Sequence, residues 1–344
     1  MSKSKNLILG VDIGGTKIAA GLVDERGEVL FAERTRMIAR KSSDQGFQAI
    51  RDAIALILRH PRAKEARAIG VSVPGWIDAK RGVLLSATNL PCFRDFPLVQ
   101  EIEKLYGLPA RLGNDANVAA LAEAVWGSGA GYGNVFYLTL GTGIGTGMVV
   151  HHRIYQGRTG AAGEGGHMTI NYQGPLCGCG KRGCIEMYAS GTAIARRARE
   201  RLSEPGANES RMLTIAHGNI EAVTAETVSK AATAGDPLAA QILEEAADHL
   251  GIWLGNIIDL LEPEIIVVGG GLARLLMSSL GRIRSRLETW AINPRQQEVP
   301  IVEARYGSQS ALVGAAALWL PVAKLTARNA HRAVRRAKSS SARR

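Results

Sequence analysis

From Leu7 to Ile13 apolar residues alternate with small or polar ones, and a period of two predicts a β-strand. Gly14-Gly15-Thr16 is a turn signal, Ile18–Val23 a second strand, Asp24–Gly27 a second turn, and a third strand begins at Val29. The period lengthens to that of a helix over Phe47–Leu58. Ala68–Val73 reads as a buried strand ending at Pro74-Gly75, Leu98–Tyr106 as a helix and Ala110–Leu112 as a short strand. A helix over Ala116–Trp126 is opened by Asn114 and Asp115, both good capping types.

The pattern then restarts. Val135–Leu140 is a strand, Gly141–Gly147 a glycine-rich turn, and Met148–His152 a strand. Strand, Gly-Thr turn and strand thus occur twice, at Leu7–Val23 and Val135–His152, a repeat of pattern rather than of identity. Two similar halves facing each other would set two Gly-Thr hairpins across one cleft. Helices follow near Thr192–Leu202 and Pro237–Leu261, and a strand over Glu264–Val268 runs into Gly269-Gly270-Gly271. A helix to about Trp290, a strand over Val299–Ala304 and a helix over Ser310–Leu320 complete the pattern. Strands alternating with helices indicate an α/β chain.

Length and composition sharpen this picture. The 344 residues, 46% apolar and 21% charged, suit two domains with a sizeable core. The net charge of +11 points at first to nucleic acid or an acidic membrane. Eight of those charges are Lys or Arg between Val322 and Arg344, a stretch with no acid, so the remainder carries only +3. That tail lacks an apolar face and reads as a solvated, disordered appendage, which disfavours a nucleic-acid partner. No apolar run approaches the ~20 residues of a membrane span, and the first residues are too short in apolar character for a signal peptide. A cytoplasmic location is the expectation.

Five segments carry candidate chemistry. In Asp12-Ile-Gly-Gly-Thr-Lys17, Gly14 and Gly15 let backbone N–H groups approach phosphate, Thr16 adds a hydroxyl and Lys17 a charge. Asp12 offers a carboxylate to Mg²⁺. An ordinary hairpin would use the same glycines, so this motif alone leaves both readings open. In Leu140-Gly-Thr-Gly-Ile-Gly-Thr-Gly147, glycine at every second residue strips one face of a β-ribbon. The spacing there is not that of a dinucleotide fingerprint, and the chain has no Walker A loop. Pairing with the first turn favours phosphate binding at Gly141, Thr142 and Gly143 over a purely structural ribbon. Ile265–Gly271 ends a buried strand in glycines, and Gly269 and Gly270 could seat a flat ring, although many α/β strands end so for packing alone. In Gly113-Asn-Asp-Ala-Asn117, Asp115 could take the proton of an attacking alcohol and Asn114 hold a hydroxyl. The competing reading of that segment is a helix N-cap.

The most specific segment is Glu164-Gly-Gly-His167 followed by Cys177-Gly-Cys179-Gly-Lys-Arg-Gly-Cys184-Ile-Glu186. Three thiols and an imidazole make a tetrahedral set suited to structural Zn²⁺, and a redox pair would not explain three sulfurs with glycines at these offsets. Glu164 and Glu186 bracket the set and suit sugar hydroxyls. The ion would stiffen the loop presenting them, and His167 could give one nitrogen to the metal and the other to substrate.

At these residues the chain resembles the ROK family of sugar kinases and repressors, within the sugar kinase, actin and heat-shock ATPase superfamily. The resemblance covers about Leu7–Leu320, and Ser86-Ala-Thr-Asn89-Leu-Pro91 looks like the family's sugar-contacting segment, with Asn89 the contact. It implies two actin-like ATPase (ribonuclease H-like) domains with a cleft between them. The N-terminal domain would comprise 1–113 and about 306–321, the larger domain 114–305, and the tail 322–344. It further implies ATP-dependent phosphorylation of a hexose 6-hydroxyl, with Asp115 as base, Mg²⁺ accompanying ATP, structural zinc, a homodimer or homotetramer, and a place in glycolysis. Glucose is the expected substrate, because the zinc-loop form with Ser-Ala-Thr-Asn-Leu-Pro is similar to ROK glucokinases. An N-acetylhexosamine, a polyphosphate donor, and a non-catalytic sugar sensor on the same scaffold stay open. Family repressors carry a helix-turn-helix before the first phosphate loop, where this chain has only Met1–Asn6, so a kinase is expected.

Overall fold

Leu7, Leu9, Val11 and Ile13, alternate residues of strand β1 (Leu7–Ile13), are fully buried, and the first sheet grows outward from them. The computed structural model describes residues 6–205 and 209–320, so the basic tail expected at 322–344 lies outside the described residues. β1 pairs antiparallel with β2 (Lys17–Val23), and β2 antiparallel with β3 (Val29–Arg36). Helix α1 (Ser43–Leu58) starts where the Ser42 hydroxyl accepts the Gln45 N–H, and it buries Ala49, Ile50, Ala53, Ile54 and Ile57, the 3–4 spacing of one face. β4 (Ala66–Val73) lies parallel to β1. A separate small sheet joins β5 (Trp76–Asp78), β6 (Val83–Ser86) and β7 (Arg94–Phe96). Helix α2 (Leu98–Tyr106) ends at Gly107 in the left-handed conformation, φ 62°, and leads to β8 (Ala110–Asn114), parallel to β4. Helix α3 (Asp115–Val125) follows directly.

The second sheet comprises β9 (Val135–Leu140), β10 (Ile144–Val150), β11 (Arg153–Ile154), β12 (Ile265–Gly269) and β13 (Ile301–Glu303). Between β11 and β12 run α4 (Glu186–Ala189), α5 (Gly191–Leu202), α6 (Arg211–Ile215), α7 (Ala225–Thr233) and α8 (Pro237–Leu261). α9 (Ala273–Ser278) and α10 (Leu280–Trp290) precede β13, and α11 (Ser310–Ala317) follows it. Strand order is β3-β2-β1-β4-β8 in the first sheet and β11-β10-β9-β12-β13 in the second. Numbered within its own sheet, each reads third-second-first-fourth-fifth, so the repeat of pattern in the sequence is a repeat of topology. This is the doubled α/β architecture of the actin-like ATPases.

Contacts divide the chain into two compact units. The first holds the described residues up to Tyr137, Gly147–Gly163 and those from Ala304; the second holds Leu138–Thr146 and Glu164–Glu303. The sequence reading drew its first boundary at 113/114. The contacts instead group α3 with the first unit, because α11 lies against α3, β1 and β4. That close approach depends on glycine. Gly10 and Gly70 are register partners on β1 and β4. A Cβ on Gly10 would stand 2.5 Å from the Leu312 carbonyl oxygen, and one on Gly70 would overlap that of Ala315. Among the described residues no helix is long and apolar enough to cross a membrane.

One buried charge locks this arrangement. Glu123 on α3 has no solvent exposure. Its carboxylate accepts the N–H groups of Ser128 (2.9 Å), Arg305 (3.0 Å) and Tyr306 (3.0 Å) and the Ser310 hydroxyl (3.2 Å). It therefore ties α3 to the segment entering α11. Glu123→Ala would leave those donors unsatisfied in the interior, and a loss of about 3 kcal/mol or more is expected. Urea unfolding checks this: a midpoint unchanged from wild type would contradict the assignment.

Candidate functional site

In the first unit, β1 delivers Asp12 to the Gly14–Lys17 turn, which closes through Gly14 N–H to the Lys17 carbonyl at 2.9 Å. Ser72, the register partner of Asp12 on β4, donates to its carboxylate at 2.9 Å. Burial pushes the Asp12 carboxyl above its ordinary value, against the opposing pull of the Ser72 hydroxyl and the charges of Lys17 and Arg34. Arg34 belongs there because Asp12, Ala19 and Arg34 lie abreast across β1, β2 and β3. The Gly14-Gly15 turn also touches the segment that carries Asn89. A Cβ on Gly15 would stand 2.7 Å from the Asn89 carbonyl oxygen, and the Asn89 side chain is exposed beside it.

Asn114 and Asp115 stand where β8 passes into α3. Asn114 is the cap: its Oδ1 accepts from Ala116 N (3.1 Å) and Asn117 N (3.2 Å), and its Nδ2 donates to the Gly75 carbonyl at 3.2 Å. One Asn114 amide hydrogen is left for a hydroxyl. Asp115 is half-buried, and one of its oxygens accepts its neighbour's N–H, Ala116 N, at 2.8 Å. The cap is made by the residue before it, so α3 does not need the Asp115 carboxylate to begin.

In the second unit the β9–β10 turn is held from one side by the segment just after the last cysteine. Glu186 accepts the Ile144 N–H at 2.9 Å, Gly191 N donates to the Gly141 carbonyl at 2.8 Å, and the Thr192 hydroxyl donates to the Thr142 carbonyl at 2.8 Å. A Cβ on Gly143 would overlap the Glu186 carboxylate, whereas one on Gly141 would meet nothing within 4 Å. The turn is therefore backed by protein at Gly143 and open at Gly141. Leu272 N donates to the Leu140 carbonyl at 3.0 Å, which places the Gly269–Gly271 strand end beside the start of the same turn.

The Glu164–His167 segment is a 3₁₀ turn anchored at its second residue. Gly165 N donates to the Thr146 hydroxyl at 2.9 Å and its carbonyl accepts the Trp253 indole N–H at 3.1 Å. Glu164 is exposed at its start. His167 faces the cysteines: Cys177 Sγ lies 3.6 Å from His167 Nδ1 and Cys179 Sγ 3.7 Å from Cys184 Sγ. All four ligand atoms lie within 4.8 Å of one another. Tetrahedral coordination with metal–sulfur bonds of about 2.3 Å and metal–nitrogen bonds of about 2.0 Å needs edges of roughly 3.8 Å and 3.5 Å, so the donor set fits a thiophilic tetrahedral ion. The loop closes through Gly180 N to the Cys177 carbonyl (2.9 Å) and Cys177 N to the Lys181 carbonyl (2.7 Å). Gly183, at φ 67°, packs onto the Asn171 carbonyl where no Cβ fits. Burial pushes the Cys177 thiol up and, with its neighbouring thiols, Cys184 up to about 12. Cys179 is also raised by burial, but the Lys181 N–H, the other two thiols and the Lys181 charge outweigh this and lower it. A cation is what would make thiolates of all three.

Each unit thus gathers its own share of the expected residues. Asp12–Lys17, Asn89, Asn114 and Asp115 fall in the first; Gly141–Gly143, Glu164, His167, Cys177, Cys179, Cys184, Glu186, Gly269 and Gly270 fall in the second. Glu186 has one oxygen engaged by the glycine-rich turn, a contact not foreseen from sequence. Ser72, Arg34, Thr146, Thr192 and Trp253 were not singled out either. Only Ser72 left a signal, as a lone hydroxyl inside the otherwise apolar Gly70–Val73 run.

A family model described as "ROK family" matches residues 8–322. The chain is 36% identical over 314 residues to the glucokinase of Streptomyces coelicolor, covering 91% of this chain and 97% of that protein. It is 30% identical over 327 residues to the N-acetyl-D-glucosamine kinase of Pasteurella multocida, covering 90% and 98%. Among solved structures, a ROK family glucokinase from Streptomyces griseus in complex with glucose and AMPPNP superposes with a TM-score of 0.79 at 36% identity, covering 91% of this chain and 98% of that one.

Proposed function

The chain belongs to the ROK family, and on that premise we propose that it transfers the γ-phosphoryl group of ATP to the 6-hydroxyl of glucose. The observation that carries this reading is the division of labour at the start of α3: Asn114 caps the helix, and Asp115 keeps a carboxylate the cap does not require. Asp115 accepts the proton of the 6-hydroxyl while that oxygen bonds to the γ-phosphorus and the bridging oxygen leaves with ADP. Gly14–Lys17 and Gly141–Gly143 hold phosphate oxygens, and Gly269 and Gly270 the base. Asn89, Asn114, Glu164, His167 and Glu186 receive sugar hydroxyls. Mg²⁺ at Asp12 would neutralise phosphate charge, and Zn²⁺ at His167, Cys177, Cys179 and Cys184 would hold Glu164 and Glu186 in place. The reading extends to a homodimer or homotetramer working in the cytoplasm, where ATP is supplied.

Coupled ADP release over a panel of hexoses and amino sugars tests the function. Glucose is expected to give the highest kcat/KM. Turnover favouring N-acetylglucosamine or N-acetylmannosamine would move the assignment to the second reading, which the Pasteurella relative favours. Sugar binding without ADP release from any hexose would replace the kinase by a sensor. Substituting polyphosphate for ATP in the same assay reads the donor.

Asp12→Asn separates function from stability. Because burial raises the Asp12 carboxyl in the fold, the native state holds that proton more tightly than the unfolded chain. The contribution of Asp12 to stability is therefore fullest below the unfolded value and is lost as pH rises through the folded one. The neutral amide is expected to melt no lower than wild type at pH 8 without nucleotide or Mg²⁺, and its stability should vary less across the acid range. Its kcat/KM for ATP should fall by about a hundredfold or more. A lower melting temperature with intact turnover would reverse the assignment.

A further inference from the structure

The segment Glu186–Thr192 grips the Gly141–Ile144 turn at three successive points, and one of its residues, Thr192, has no part in the roles assigned above. A turn with glycine at positions 141, 143 and 145 has wide conformational freedom. Ordering it only when phosphate arrives would cost about 1 kcal/mol or more per residue. Fixing the Gly141 and Thr142 carbonyls from behind, at 2.8 Å each, removes that cost beforehand. The Gly191 N–H belongs to the backbone of the first turn of α5, and the Ser190 hydroxyl caps that turn by accepting from Ala193 N at 3.1 Å. Glu186 braces the third point through a charge-assisted bond to Ile144 N. Cys184 lies two residues before Glu186, so the brace begins at the Cys/His cluster.

We propose that Thr192 is a positioning residue for donor phosphate: its hydroxyl, with the Gly191 N–H, presets the Gly141–Ile144 turn, so ATP affinity depends on it and sugar affinity does not. This rests on reading that turn as a phosphate loop. Thr192 is exposed and its hydroxyl is the group at issue, so Thr192→Val removes the bond while keeping the shape. Thr192→Ala removes it without the branched side chain, and Thr192→Ser restores it.

The experiment measures KM for ATP and for glucose, and the Kd of a non-hydrolysable ATP analogue by calorimetry, on the full chain. For Thr192→Val and Thr192→Ala, the ATP KM and the analogue Kd should rise about fivefold, the factor one neutral hydrogen bond is worth. The glucose KM should stay within experimental error, the melting temperature within 1–2 °C (roughly what one surface bond shifts), and Thr192→Ser should recover wild-type affinity. An unchanged analogue Kd in both hydroxyl-free variants would overturn the proposal, as would an equal rise in both KM values, which marks a general structural loss. Wild-type protein that neither binds the analogue nor releases ADP would overturn the kinase reading itself, and this inference with it.

Discussion

Asp115→Asn is expected to lower kcat by about a thousandfold while leaving glucose affinity within a few-fold, the range a lost general base produces. The substitution is chosen for what it preserves. Asparagine keeps an oxygen for Ala116 N, the bond that Asp115 Oδ1 makes at 2.8 Å. The cap of α3 stays intact because Asn114 provides it, and Glu123 still fixes the far end of the helix. What asparagine cannot do is accept a proton from an alcohol. Phosphoryl transfer makes the attacking hydroxyl acidic only late, so part of the effect is lost orientation rather than lost basicity. Both act on kcat and neither acts on the ground-state sugar complex. Full turnover in this variant would remove Asp115 from the mechanism. A loss confined to KM would make it a binding residue.

Sequence reading reached the longer helices and strands because their apolar positions are covered on a regular face, but it named neither α6 nor α7 between Leu202 and Pro237. Leu98–Tyr106 and Pro237–Leu261 have the bounds expected from their spacing. It did not reach the sheet of β5, β6 and β7, whose strands of three or four residues are too short to show a period. β10 begins at Ile144, four residues before the strand expected at Met148, because the glycine ribbon itself is extended and paired. A glycine signals a turn in isolation; only a neighbouring strand makes it part of a sheet. At the candidate site the same division holds. The cysteine spacing already implied a ligand set, since thiols so close in sequence need only a tight loop to converge. The grip of Glu186, Gly191 and Thr192 on Gly141–Ile144 joins residues more than forty positions apart through backbone carbonyls and one N–H. No side-chain pattern along a single chain encodes such a partner.

That grip also decides what removing the metal should do. Three of the four ligands sit on a loop that closes on itself, on His167 through the Lys181 ammonium and on the Thr169–Asn171 segment through Ile170 N to the Gly183 carbonyl, and its far end becomes the brace on the glycine-rich turn. Stripping the ion, or replacing Cys184 by serine, should therefore weaken both substrates: glucose through Glu164, His167 and Glu186, and ATP through Glu186 and Thr192. Cys184→Ser is the severe form. The thiol has no solvent exposure, and a serine oxygen at the same position would not ionise for a soft ion. Wild-type protein is expected to carry about one zinc per chain, and Cys184→Ser close to none. Loss of a structural ion removes several kcal/mol from the segment it closes, so limited proteolysis should open the chain between Thr169 and Gly183 while α1 and the first sheet stay protected. Cys92→Ser is the control, because Cys92 belongs to the first unit and is not one of the four clustered ligands, and should leave the zinc content unchanged. If metal-free protein of verified composition binds glucose and ATP as the zinc-loaded protein does, then the ion has no part in shaping either site, and the 164–192 segment holds its form by hydrogen bonds alone.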